Sequence, residues 1–359
     1  MTQALPLLRL EEHFQELAAR REDFPGPDDY WTHYASMLNV LREKFYPHVN
    51  VGLAVHSGSI AGIFTDHSNA HFDEVVKYAG KLLDIKGQSS NCSLGPYEVF
   101  LLLMGIRLHD VGNVYGRDGH ERKALDVYKD ATPLAMRDRF ESLAISRIAS
   151  VHGGKTASGG KDTISQLPET DRLGSSTHFR PRMVAALVRF ADEICEHRGR
   201  VSSYLINADK IPPHNLIYHL YAASIKASSV DRSRKTIELE YVVHKKYLQK
   251  PYSLPIDKSG KQKVKYLLDE LLDRLAKLNM ERIYCNRFLD PALQTDRVQA
   301  VISIVDGLDD EVVLERRQVD IQPHGYPEMD NSWRSQIEDF SGRQLSKKLF
   351  SRKGGNDAR

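Results

Sequence analysis

The sequence predicts a mainly α-helical domain with a small α+β domain appended at its C-terminal side, and three observations carry that prediction. Apolar residues recur at three- and four-residue intervals through much of residues 1–210. Beyond about Asn215 the pattern changes to alternating strands in the order ββαββ. The length, 359 residues, accommodates one large core and a smaller second one.

Residues 1–46 read as helical, with Leu7, Leu8, Leu10, Phe14 and Leu17 on one face and a break at Phe24–Asp29, FPGPDD. Asn50–Phe64, NVGLAVHSGSIAGIF, is Gly-rich and is expected to be irregular. Three strong helices follow, Ser68–Leu83, Pro96–Leu108 and Asp138–His152. His152–Asp162 (HGGKTASGGKD) and Gly174–Arg182 (GSSTHFRPR) read as loops, and a further helix is expected from Pro181 to Arg198. Ala222–Val230 and Thr236–His244 read as strands joined by a charged turn. A helix from Lys263 to about Phe288 precedes strands near Val298–Val305 and Glu311–Val319. This gives domains at 1–210 (core about 60–205) and 211–325, with 326–359 as a polar, flexible tail.

Composition narrows the function classes. Fifty basic residues against 48 acidic ones leave a net charge of +2, so no global nucleic-acid or membrane signature exists and any anion preference is local. Cys92, Cys195 and Cys285 lie far apart with no CxxC pair, which argues against a disulfide framework or a zinc ribbon. The longest apolar run, Val99–Ile106, is far shorter than the roughly 20 residues a membrane span needs. The N-terminal LPLLRLEEHFQEL turns charged too soon for a secretory signal, and a cytoplasmic location is the expectation.

The chemistry-bearing residues centre on His109–Asp110, which ends the helix EVFLLLMGIRL and precedes VGNVYGRDG. At a helix end the two side chains can reach one ion from two directions, although an HD dipeptide alone more often marks a cap or a surface pair. Three further residues change that balance. His71 projects from the start of an amphipathic helix with Val75 and Ala79 on the same face. His120 follows Gly112–Gly119, whose three glycines let the backbone pass close to an ion or phosphate. Asp192 sits in the apolar helix VAALVRFADEICEH beside Val188 and Cys195, where an unpaired carboxylate costs several kcal/mol and calls for a cation or donors. His152, at the end of SLAISRIASVH, is a weaker fourth.

Imidazole and carboxylate donors suit Mn²⁺, Fe²⁺, Co²⁺, Ni²⁺ or Zn²⁺ better than Mg²⁺. With no thiolate among them, open coordination positions are expected rather than a closed structural zinc site. Arg117, Lys123, Lys155 and Arg189 flank the set and are candidates to grip phosphate. For Lys155 a solvated loop lysine is the plainer reading. His67, one turn before His71, reads equally as a helix cap or a supporting donor, and Asp66 as a cap. His56 could border the pocket. Arg198 and Arg200 pair with Glu193, Glu196 or solvent, while Tyr115 and Tyr204 read as packing residues. The basic stretch Lys226–Lys235 reads as a solvated turn, with an allosteric nucleotide or an oligomer contact as the functional alternative.

In their order H…HD…H…H…D, these residues resemble the HD-domain metal-dependent phosphohydrolase superfamily. HFDEVVKYA (His71–Ala79) looks like its first-ligand helix, RLHDVGN (Arg107–Asn113) like its signature, and LVRFADEICEHRGRV (Leu187–Val201) like its last-ligand helix. The resemblance spans roughly residues 60–205. It implies an HD-type helical bundle in which His71, His109, Asp110 and Asp192 bind a first divalent ion. His120 and His152 match positions that some branches use for a second ion or for acid–base work, so one or two ions per chain are expected, with Asp110, His120 and His152 catalytic.

HDVGNVYGRDGHE resembles the HD…GH.GE stretch of deoxynucleoside triphosphate triphosphohydrolases, without a clean match in spacing. The His152 position and the strands after it look instead like HD domains of signalling or conflict systems and like dinuclear phosphodiesterases. His152 is followed by GGK, and the GYP at Gly325–Pro327 lies far outside the domain. The leading expectation is hydrolysis of a nucleotide phosphoester, with (deoxy)nucleoside triphosphates ahead of cyclic mono- or dinucleotides. The contrasting reading is a non-catalytic module that senses a metal or nucleotide, against which the complete ligand set argues. The expected partners are a nucleotide and further copies of the chain in a homo-oligomer, with no membrane.

Overall fold

The structure is a computed structural model that describes residues 6–56, 65, 67–85, 93–174, 177–201, 206, 208–256, 260–307, 312–322, 334 and 337–350, the side chains of 55, 56 and 200 excepted. It is mainly α-helical with an α+β part toward the C-terminus. The chain divides into two compact units, 1–61 with 66–195 and 282–294, and 62–65 with 196–281 and 295–359.

The first unit is built on helices α1 (Arg9–Ala18), α2 (Tyr30–Val40), α3 (Tyr46–His56), α4 (Asn69–Leu82), α5 (Pro96–Leu108), α6 (Ala124–Ala131), α7 (Arg139–Ser150) and α8 (Pro181–Ile194). Helix α5 is its centre: every residue from Tyr97 to Leu108 is buried, as expected of a helix apolar on all sides. Pro96 at its first turn and the Glu98 carboxylate, which accepts the Gly95 N–H at 2.9 Å, fix where it starts. Rings of α1, α2 and α5 interlock, with Phe14 edge-on to Tyr34 at 5.8 Å and Tyr30 edge-on to Phe100 at 4.8 Å.

The second unit carries a four-stranded sheet, ordered β3-β4-β7-β8, of strands β3 (Ile225–Asp231), β4 (Thr236–His244), β7 (Arg297–Asp306) and β8 (Val312–Ile321), and a separate two-stranded pair of β5 (Tyr252–Ser253) and β6 (Val264–Lys265). Strands β4 and β7 pair in parallel from Thr236↔Arg297 to His244↔Val305, and the outer pairs are antiparallel. The crossover between the parallel strands holds helix α10 (Leu267–Asn286), whose Leu268, Leu271, Leu275 and Leu278 form a buried stripe. Along β4, Ile237, Leu239, Tyr241 and Val243 are buried while Glu238, Glu240, Val242 and His244 face the other way, half-buried. Helix α9 (Pro213–Ser224) packs on β3 and β4.

Five segments differ from the sequence reading. Residues 46–56, expected to begin an irregular stretch, are helical: Gly52 sits where a Cβ would overlap the carbonyls of Asn113 and Val114, so its role is close packing rather than chain breaking. Residues 57–64 of that stretch lie outside the described residues. The expected loop Gly174–Arg182 contains strand β2 (Thr177–Phe179), which pairs with β1 (Asp171–Leu173) just before it, with Gly174 at φ 65° turning the chain. Helix α8 stops at Ile194, because Cys195 leaves helical geometry and Glu196 engages Tyr221 and Arg274. Ala222–Ser224 close helix α9, which Pro213 initiates, instead of opening a strand. In the expected tail, helix α11 (Gly342–Phe350) forms and buries Leu345.

Candidate metal centre

Four helix ends and one turn bring the His and Asp residues together in the first unit. His71 lies in the first turn of α4, and His109–Asp110 directly follow α5. His152 follows α7 and Asp192 is in the last turn of α8. Helices α7 and α8 come close to α5 at Gly105, where a Cβ would lie 3.0 Å from methyls of Ile148 and Val188. A short 3₁₀ turn at Val111–Tyr115 and another at His120–Lys123 carry the chain back over the centre. They touch at Gly112, where a Cβ would overlap the carbonyl of His120, so glycine there lets His120 reach the site.

Asp110 is the hub. Its Oδ1 lies 2.9 Å from His120 Nε2 and 3.5 Å from His152 Nε2, and its Oδ2 lies 3.8 Å from His109 Nε2 and 3.7 Å from His67 Nε2. Asp192 Oδ1 lies 3.3 Å from His71 Nε2 and 3.5 Å from His109 Nε2. Two groups of donor atoms result, His71 with His109 and Asp110, and Asp110 with His120 and His152, each within 4.8 Å of one another. The sequence reading treated Asp192 as buried, but its side chain is 27% exposed and forms the open edge of the site.

The imidazoles are oriented from behind. Nδ1–H of His109, His120 and His152 donates to the carbonyls of Ile106, Arg117 and Ala149 at 2.7, 2.8 and 2.6 Å. A carbonyl only accepts, so these contacts place the proton on Nδ1 and leave Nε2 as the lone-pair donor. The Nε2 atoms of His109 and His120 are buried and complete no hydrogen bond, which is the state expected of atoms meant for a cation. Burial lowers the proton affinity of His109, yet the Asp192 and Asp110 carboxylates outweigh it and raise its pKa to about 9, so at neutral pH a proton competes with a cation for Nε2. Burial pushes the Asp110 and Asp192 carboxyls up, and the surrounding histidines hold both well below the usual carboxylate range. Two ionised carboxylates in such a place require positive charge, and the mixed N/O donor set fits a divalent transition metal.

An ion-pair network centred on the buried Arg107 stands behind the His/Asp cluster. Arg107 donates to Asp73 Oδ1 at 2.6 Å, to Glu11 Oε1 at 2.7 Å and to the Tyr34 hydroxyl at 3.0 Å. Tyr34 in turn donates to Glu11, and Tyr46 donates to the Arg107 carbonyl at 2.9 Å. Asp73 also receives Arg42 at 3.1 Å. Since Asp73 is two residues beyond His71 and Arg107 two before His109, this pair sets the register of the two ligand-bearing helices against each other.

The phosphate candidates separate. Arg117 Nη1 is 4.0 Å from Asp110 Oδ1 with its side chain half exposed, at the mouth of the site. Arg189 is excluded from that role: it is buried, donates to Thr163 Oγ1 at 3.0 Å and stacks 4.6 Å over the Tyr284 ring. Lys123 reaches Asp126 at 3.5 Å on the surface, and Lys155 is an exposed loop residue. His67, discounted from sequence, reaches Asp110, with its ring 5.5 Å from that of His71. Its spacing one turn before His71 was the available signal. His56 by side chain, Arg200 by side chain, Asp66, Cys92, Tyr204 and Gly325–Pro327 lie outside the described residues.

A helical bundle with His and Asp side chains converging on an HD pair defines an HD-domain protein. The chain matches the family model described as HD-CE over residues 61–277 and belongs to that family. Neither the curated proteins nor the solved structures give a match. The family and the His/Asp clusters together fit a metal-dependent hydrolase. No helix among the described residues is long and apolar enough to cross a membrane.

Proposed function

We propose that the protein is a divalent-metal-dependent phosphohydrolase that cleaves a nucleotide phosphoester, with (deoxy)nucleoside triphosphates as the leading substrate class. The observation that carries this reading is the convergence of two imidazole sets on the one carboxylate of Asp110. His71, His109, Asp110 and Asp192 would hold one ion, and Asp110, His120 and His152 a second. A divalent ion supplies, when bound, charge opposite the phosphoryl oxygens and a water acidified toward neutrality. The backbone carbonyls behind His109, His120 and His152 fix each ring so that Nε2 faces the reacting centre. With a single ion in place, His120 or His152 would carry the proton at Nε2 that the leaving oxygen takes up. Arg117 would hold the phosphate chain at the mouth.

The shared position of Asp110 between both donor groups also favours a second reading, a phosphodiesterase for cyclic mono- or dinucleotides. Products separate the two. Tripolyphosphate plus nucleoside sinks the diesterase reading, and linear monophosphates sink the triphosphohydrolase reading. The test of the site itself is Asp110→Asn, with metal content measured by elemental analysis and turnover by a nucleotide screen in Mn²⁺. We expect loss of bound metal and a fall in turnover of at least about 100-fold. Retained activity refutes the site.

A further inference from the structure

The second unit contains a cavity of about 650 Å³ at the carboxyl ends of the parallel strands β4 and β7, in the usual size range for small-ligand pockets. Among the described residues four Lys and Arg side chains line it, three of them Arg198, Lys246 from the 3₁₀ turn after β4, and Arg316 from β8. None of the three has a carboxylate partner among the described residues. Their basic neighbours do: Lys245 meets Asp306 at 3.3 Å, Arg317 meets Glu315 at 3.0 Å, and Lys348 also meets Glu315. The fourth lining cation, Lys226, is neutralised at 2.9 Å by Glu240, the one carboxylate among the described lining residues.

The rest of the wall is of another kind. Leu220, Val242, Val305 and Val313 make one side apolar, and Tyr247 lies under the Lys246 ammonium at 4.8 Å. Ser303, buried, offers a hydroxyl at the floor. A hollow of about 380 Å³ further along the same sheet lacks this character, since Glu238 and Glu240 there face Arg316 alone. The stretch Lys226–Lys235 is likewise not the source of free charge, because Arg234 pairs with Glu238 at 3.0 Å.

The geometry points to a second ligand site in this cavity, separate from the His/Asp centre, that takes a nucleoside polyphosphate. Its phosphate chain lies on Arg198, Lys246 and Arg316, and its ring lies against Tyr247 and the valines. Three uncompensated cations match the charge of a di- or triphosphate, and guanidinium groups offer phosphate two parallel donors. An apolar wall beside them suits a base and gives a bare phosphate chain nothing.

The test is titration calorimetry on the full chain in EDTA, with ATP and with inorganic tripolyphosphate as probes. Saturable ATP binding is expected, weakened at least about tenfold in the double variant Arg316→Glu with Lys246→Glu and lessened by added salt. Both side chains are exposed, so circular dichroism and the melting temperature should match the parent. Lys210→Glu, an exposed cation of the same unit outside the cavity, should leave the affinity unchanged. ATP binding more tightly than tripolyphosphate supports the ring contact, and equal binding supports a phosphate-chain site without it. No binding of either probe, no effect of the double variant, or an equal effect of Lys210→Glu overturns the proposal. Asp110→Asn should bind ATP as the parent does, so failure of the hydrolase reading and failure of this one are separate results.

Discussion

Arg107 shows how much a single buried side chain can decide. It is fully buried, and Glu11, Asp73 and Tyr34 satisfy it from three other helices. Arg107→Met would leave the buried Glu11 carboxylate without a cation and Asp73 with Arg42 as its remaining one, and a loss of about 3–5 kcal/mol in urea unfolding is expected. Nothing near Arg107 in the sequence announces this, because its partner Glu11 is 96 residues away. His109, Asp110 and His71 were legible because their order is a pattern, and order is all that a sequence displays. Glu141 gives a pH prediction away from the metal centre. Burial raises its carboxyl to about 7, while Tyr30 and Tyr97 each donate to it at 3.0 Å. Burial likewise lowers the neighbouring His33 to about 4, so their 3.7 Å contact joins neutral groups between those values and is not an ion pair. The folded pKa of Glu141 lies above the unfolded one. Its contribution is therefore fully present below about 4.5 and is lost as the pH rises through about 7. Denaturation at pH 5 and pH 8 should show Glu141→Gln gaining on the parent at the higher pH, and an unchanged difference would refute the assignment.

At the scale of elements, periodicity did what its physics allows. The central helix Pro96–Leu108 and strand Thr236–His244 match their expected bounds, since an apolar run between a Gly-Pro start and a polar end, or a strict two-residue alternation, leaves little choice of register. In residues 46–56 the glycine suggests a break, whereas Gly52 sits within a helix as a contact surface for the turn after the HD pair. Gly52→Ala would press a methyl into the Asn113 and Val114 carbonyls, and Gly112→Ala one into that of His120. Each should cost about 1–3 kcal/mol in thermal or chemical unfolding. Each should also lower metal content, measured by elemental analysis, because the displaced turns carry Asp110 and His120. Normal metal content in a destabilised variant would show that these turns are only structural. The hairpin at Asp171–Phe179 went unseen because three-residue strands are too short for alternation to register.

For the molecule as a whole, a net charge of +2 hides strong local contrasts: an electronegative centre in one unit, and in the other a cluster of cations without a carboxylate partner among the described residues. Metal should therefore stabilise selectively. Calorimetric scans with Mn²⁺ against EDTA should raise the transition of the unit carrying Asp110, by about 2.7 kcal/mol at a hundredfold excess over the dissociation constant. A melting profile indifferent to metal would count against the donor set. The change from helices to strands near residue 215 was readable in the sequence. The return of 282–294 to the first unit was not, because it rests on tertiary contacts such as Arg180 with Asp290 at 2.8 Å and Tyr284 donating to Asp162 at 2.9 Å.

That return has a consequence for biosynthesis. All the proposed ligands have been translated by residue 192, yet the segment that closes their unit emerges about 90 residues later. At roughly 5–20 residues per second the nascent chain waits on the order of 5–20 s with that side of the bundle uncovered. A chain cut at residue 210 should accordingly be less stable or aggregate, although every proposed metal ligand is present. During synthesis, the same interval is when a chaperone would have most to hold.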